Sequence, residues 1–244
     1  MKVFRRWATL LASTFGLVAL AGCGATPRPA TTAASPVSTT TEAPATSSTT
    51  TVTQTTPFLS SVATVSTAQL GASWHTGCPV DPTQLRSIQL SYWGFDGQPH
   101  TGTIVVNASV VNPVIQVFNM LYSARFPISE MVPQSVYGGN DNAAAAADDT
   151  SGFNCRFAVA PGPPQWSMHA YGEAIDVNDI QNPYVDGSTI IPPAGASYLD
   201  RSNVRPGMAN LGGTLVNAFT AIGWGWGGHW VGTLDYQHFS INGQ

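Results

Sequence analysis

Lysine is all but missing from this chain of 244 residues, where Lys2 is the only one. Lys2, Arg5 and Arg6 sit in the first six positions, which leaves Arg28, Arg86, Arg125, Arg156, Arg201 and Arg205 as the only other cations against 13 acidic residues. A basic footprint for nucleic acid or anionic lipid is therefore excluded. So is catalysis of the Ser-x-x-Lys kind, which needs a lysine in the site. Charge of either sign is scarce, at 9% of residues. Cysteine is scarcer still, at three, and no internal repeat is evident.

The one long apolar run, Trp7 to Ala21, follows Lys2, Arg5 and Arg6 and reads as an export signal. It is too short, and too closely followed by polar chain, for a permanent span. Leu20-Ala21-Gly22-Cys23 resembles the lipobox of bacterial lipoproteins, which implies a signal peptide over 1–22 and a diacylated Cys23. The expected location is extracytoplasmic, lipid-anchored and facing the cell wall. From residue 23 to 66 the chain is Thr, Ser, Ala and Pro with almost no charge, a composition that cannot offset the entropy of ordering. It is expected to be a disordered tether. Roughly forty such residues reach about 35 Å. With Cys23 acylated, Cys78 and Cys155 are expected to bridge in an oxidising compartment. A catalytic thiolate at Cys155, beside Arg156, is the alternative, but no second feature of a cysteine peptidase accompanies it.

The folded domain is read as 67–244. Residues 85–95 and 101–110 form a hairpin about Gly94-Phe95-Asp96-Gly97. Asn112-Pro113 opens a helix whose buried stripe is Val114, Val117, Phe118, Leu121 and Tyr122. A short strand is expected over 128–136, a helical turn in the alanine run after Asn142, and a surface excursion over 179–206. Leu211, Leu215, Ala218, Phe219 and Ile222 mark another helix. Strands and helices are segregated, so the expected class is α+β, an antiparallel sheet with helices packed on one side.

Two short motifs stand out in a chain this poor in charge. Ser167-Met168-His169-Ala170-Tyr171-Gly172-Glu173-Ala174-Ile175-Asp176 sets an imidazole and a carboxylate seven residues apart, and a bend at Gly172 would turn both to one point. Gly172, Ile175, Val177 and Pro183 weigh against a continuous helix. Asp235-Tyr236-Gln237-His238-Phe239 adds a second imidazole and another acid. Two His, one Asp and a spare carboxylate make a catalytic zinc set with an open position.

These two motifs together resemble the zinc D-Ala-D-Ala carboxypeptidases of the VanY type and the L-alanyl-D-glutamate endopeptidases, within a fold group that includes the zinc domain of hedgehog proteins. The resemblance implies one zinc on His169, Asp176 and His238, Asp235 as general base, and Arg156 as the cation that polarises the scissile carbonyl. Relatives often carry Glu after His-Phe, where this chain has Ser240. The implied partner is the stem peptide of peptidoglycan, cut to release a terminal D-Ala or between L-Ala and D-Glu. A non-catalytic zinc-binding wall module is the alternative of another class. Ser167, Trp226 and His229 are assigned to substrate contact, although Trp224, Trp226 and Trp230 share strand parity and core packing is their default. His75 and His100 are read as structural, Asp148 and Asp149 as solvated loop acids. Oligomeric state is not encoded in any of these features.

Overall fold

The computed structural model describes residues 56–159 and 163–244. The signal, Cys23 and most of the tether lie outside them. All the described residues fall in the unit Thr53–Gln244.

Among the described residues nine strands and five α-helices follow one another: β1 Ser60–Thr64, α1 Thr67–Leu70, β2 Leu85–Trp93, β3 Pro99–Asn107, α2 Val111–Ser123, α3 Asp141–Ala146, α4 Met168–Tyr171, β4 Ala174–Asp176, β5 Tyr184–Asp186, β6 Thr189–Ile191, α5 Thr214–Thr220, β7 Gly225–Trp226, β8 Thr233–Asp235 and β9 His238–Ser240. The class is α+β, but the expected single sheet is three separate antiparallel ones, ordered β1-β2-β3, β4-β9-β7 and β6-β5-β8. Most of the strands hold two or three residues, too few to extend one continuous sheet.

The first sheet is the frame. β2 and β3 pair from Leu85↔Asn107 to Trp93↔Pro99 about the expected turn, with Leu85, Ile88, Leu90, Ile104 and Val106 fully buried. β1 corrects the tether, because ordered chain begins before residue 67. It pairs with β2 from Ser60↔Leu90 to Thr64↔Arg86. Every side chain of β1 is exposed, so no burial pattern marks it, and it forms by satisfying the outer edge of β2. Phe58 packs on Tyr122 at 5.7 Å, and the Tyr122 hydroxyl donates to the Thr56 carbonyl at 3.0 Å.

Helix α2 buries the expected stripe Val114, Val117, Phe118, Leu121 and Tyr122 against this sheet. Its approach is capped earlier than expected. Asn107 accepts from the Ser109 amide at 3.1 Å, and Asn112-Pro113 lies inside the first turn, where a missing N–H costs nothing. The strand expected over 128–136 does not form. Pro127 and Pro133 cannot donate, and only isolated bonds such as Thr103 N to the Met131 carbonyl, 2.9 Å, hold the segment. Leu211 is 77% exposed, outside the stripe that α5 buries through Leu215, Ala218 and Phe219. The excursion over 179–206 carries the β5–β6 hairpin, and β5 also pairs with β8.

Phe219, Phe239 and Trp226 stack in the core beneath β9, with Phe219 and Phe239 at 4.1 Å. A second cluster of Leu70, Leu85, Val105 and Phe153 surrounds the Cys78–Cys155 disulfide, whose half-cystines are 77 residues apart. Closing a loop of that length contributes about 4 kcal/mol in the chain-entropy account.

Candidate metal centre

The first motif is neither bent strand nor helix but one followed by the other. Ser167 caps α4 by accepting from the His169 amide, so His169 sits on a single helical turn. Gly172 then ends it at φ +69. A Cβ on Gly172 would lie 2.6 Å from the Asn107 amide nitrogen, because the Gly172 carbonyl accepts from that amide at 2.8 Å. Only glycine permits both the left-handed turn and this approach to β3. The chain leaves as β4, which pairs with β9 in the register Ala174↔Ser240, Ile175↔Phe239 and Asp176↔His238. Asp176 and His238 are thus directly opposed across two strands, while Ile175 and Phe239 turn into the core.

The three side chains converge. Asp176 Oδ2 lies 3.0 Å from His169 Nε2, and Asp176 Oδ1 3.1 Å from His238 Nδ1. The two ring nitrogens are themselves 3.1 Å apart. All three residues are buried. Their outer nitrogens face main-chain oxygens, His169 Nδ1 that of Gly152 at 2.6 Å and His238 Nε2 that of Gln244 at 3.0 Å. Donating there leaves each neutral ring with its lone pair turned inward. Two lone pairs and a carboxylate at such separations repel unless a cation sits among them, so the donor set fits a divalent metal of the zinc kind. Burial penalises the charge of Asp176, but the charge and hydrogen bonds of His169 and His238 when protonated outweigh that penalty and hold its carboxyl well below the usual range, and a bound cation would take the place of that proton. Ser240 also donates to the Gln244 oxygen, at 2.8 Å. It therefore supports His238 through a shared acceptor rather than by its own charge.

Asp235 ends β8, opposite Tyr184 of β5. Its Oδ1 is buried and has no hydrogen-bond partner. Burial and the neighbouring Asp176 push its carboxyl up to about 7, against the pull of His238 and Arg156. That is the range in which a carboxylate can both take and return a proton near neutrality. Arg156 is pinned by an ion pair to Asp141 at 2.9 Å, and Cys155 next to it is fixed by the disulfide. Burial works against the guanidinium, but Asp141, Asp176 and Asp235 hold it above the usual arginine value. Its Nε has no partner.

Asp235, Arg156 and His238 line one cleft of about 710 Å³. Ser167 also lines it, with its side chain engaged as the helix cap. Trp226 does not. It is buried in the core and donates to the Tyr236 carbonyl at 2.8 Å. His229 is exposed and packs edge-on against Trp226, outside the cleft lining. The assumed alternation fails because a 3-10 turn, Gly227–His229, interrupts the strand after Trp226. Trp230, beyond the turn, reaches the cleft instead and lies 5.4 Å from the His238 ring.

Asp148 and Asp149 are buried rather than solvated, which corrects their reading as loop acids. They accept from the amides of Ile180 at 2.7 Å and Val132 at 3.0 Å and tie two loops together. His75 and His100 are exposed and bond locally. His75 lies near Cys78 and Cys155, whose sulfurs the disulfide occupies. The Gly152 carbonyl, Asp141, Trp166 and Tyr184 went unread in the sequence. Of these only Trp166, adjoining Ser167, carried a local signal.

Residues 161–241 match a family model described as D-alanyl-D-alanine carboxypeptidase, of the zinc peptidases. Searches of curated proteins and of solved structures give no match. The matched span holds His169, Asp176, Asp235 and His238, and with the converged donor set it makes this chain a metallopeptidase, D-Ala-D-Ala carboxypeptidase-like, of a kind that acts on peptidoglycan.

Proposed function

We propose that this chain hydrolyses the stem peptide of peptidoglycan, with one zinc ion held by His169, Asp176 and His238, and that it releases a terminal D-alanine. The observation that carries the reading is the convergence of three inward-facing donors beside Asp235, a partnerless carboxylate pushed up to about 7. Bound zinc supplies a Lewis acid for the scissile carbonyl and favours ionisation of water. Asp235 takes the proton of the attacking water on Oδ1 and returns it to the leaving amine. Arg156, held in place by Asp141, offers its guanidinium to the oxygen on which negative charge develops. Trp166, Tyr171, Tyr184 and Trp230 narrow the cleft about the peptide and exclude water from the ends of these polar groups. Kinship with the hedgehog-type zinc domain is part of the same proposal.

One observation favours a second bond. Among the described residues Arg156 is the only basic side chain lining the cleft, so it cannot serve the oxyanion and a free terminal carboxylate at once. Cleavage between L-Ala and D-Glu needs no second cation. Incubating the zinc-loaded protein with intact stem pentapeptide and weighing the products separates the two. Loss of one D-alanine supports the carboxypeptidase, and a split after L-Ala the endopeptidase. An uncut peptide would leave a zinc-binding wall module.

Anchorage through Cys23 belongs to this proposal and rests on the lipobox-like run before it. Cys23→Ser should release the protein or stall its processing. Mature mutant protein in the membrane fraction would contradict the anchor.

A further inference from the structure

The cleft has an acid that the mechanism does not use. Glu173 lies between His169 and Asp176 of the first motif, directly after Gly172, and lines the cleft. Its main chain is fully engaged, the amide donating to the Met168 carbonyl and the carbonyl accepting from the Ile241 amide. Its carboxylate is not. Among the described residues it has no hydrogen-bond or ion-pair partner, although it is half-buried. Burial alone pushes its carboxyl up, with no contribution from Asp176 or Asp235. Glu173 lines the same cleft as Asp235 and His238, where the rest of a bound peptide would lie.

Among the described residues no basic side chain pairs with it. Arg156, the one basic side chain of the cleft among the described residues, is paired with Asp141 rather than with Glu173. Asp141, Glu173 and Asp235 leave the lining with an excess of negative charge. A half-buried carboxylate without a partner is costly unless the ligand brings the partner. Trp166, Tyr171, Tyr184 and Trp230 line the same cleft, and aromatic faces attract cations too.

We propose that Glu173 is a specificity-determining residue that binds a primary ammonium group of the substrate. In a stem peptide that group is the free side-chain amine of a diamino acid, so the site would select strands whose amine is not yet consumed in a cross-link. The proposal rests on the peptidase reading given above, and a free peptide N-terminus is the other source of the same chemistry.

The test compares stem peptides of one sequence with the side-chain amine free or acetylated and, separately, with the N-terminus free or acetylated. In the zinc-loaded wild-type protein, acetylating the recognised amine should raise KM and lower kcat/KM roughly tenfold, as expected for loss of a hydrogen bond between charged groups. In Glu173→Gln the ratio between free and acetylated peptide should fall to about one, and Glu173→Asp should restore part of it. Zinc content and circular dichroism report whether each variant is folded. The arm that shows the tenfold ratio identifies the source of the ammonium. A ratio near one in both wild-type arms, or a ratio kept in Glu173→Gln, overturns the proposal while cleavage itself stands. Absence of any cleavage fails the peptidase reading instead.

Discussion

Asp176 and Asp235 share one site, yet their surroundings drive their acidities apart. Asp176 meets two imidazoles and is held ionised, whereas Asp235 meets burial and a neighbouring negative charge and is pushed up to about 7. That division accords with the proposed roles, Asp176 holding the metal and Asp235 transferring the proton. Asp235→Asn should therefore keep about one zinc per chain while kcat falls by roughly 10²–10⁴, read by metal analysis beside peptide turnover. Because the base works as a carboxylate, kcat/KM in the wild type should fall as pH drops through an apparent pKa of about 7, or lower once the cation favours ionisation. The variant should lack that limb, and a variant that loses its zinc would make Asp235 a ligand. At this scale the sequence was eloquent about His169, Asp176, Asp235 and His238, since two short motifs hold them all. It misled about Trp226, whose parity assumed an unbroken strand.

The one-turn helix α4, the left-handed Gly172 and the three-residue strands β4 and β9 make a compact element that sets His169 against the opposed pair Asp176 and His238. None of its parts would be stable alone. Its rigidity comes from Ile175 and Phe239 in the core and from the Asn107 contact. Gly172→Ala should lose roughly 1–3 kcal/mol through backbone strain and collision, measured by denaturant unfolding, and should weaken zinc affinity in step. Unchanged affinity would mean that the turn does not position the ligands. The hairpin β2–β3 and helix α2 were legible because long periodic runs carry their burial. β1 was not, because all five of its side chains face solvent and the edge of β2 alone recruits it.

Over the whole molecule, scarce charge is placed inside as well as outside. Asp149 is fully buried and pushed up to about 7, chiefly by burial. A carboxyl raised in the folded state contributes stability that is complete below its unfolded value of 3.8 and is lost as pH rises through about 7. Asp149→Asn should flatten that decline, so variant and wild type should differ more at pH 8 than at pH 4 in chemical denaturation. Equal pH dependence in both would show that Asp149 carries no such load. What the sequence determined by itself was the inventory: few cations, the pair Cys78 and Cys155, the residues His169, Asp176, Asp235 and His238 in two local motifs, and the amphipathic periods of α2 and β2. These are legible because each depends on composition or on residues near one another in the chain, the cysteine pair being given by elimination. Tertiary structure decided which backbone oxygens fix the two imidazoles, that Asp141 rather than a substrate holds Arg156, and which tryptophan faces the cleft. Those outcomes depend on the pairing of β4 with β9, a contact between distant segments that no local pattern encodes, and on the 3-10 turn between β7 and β8.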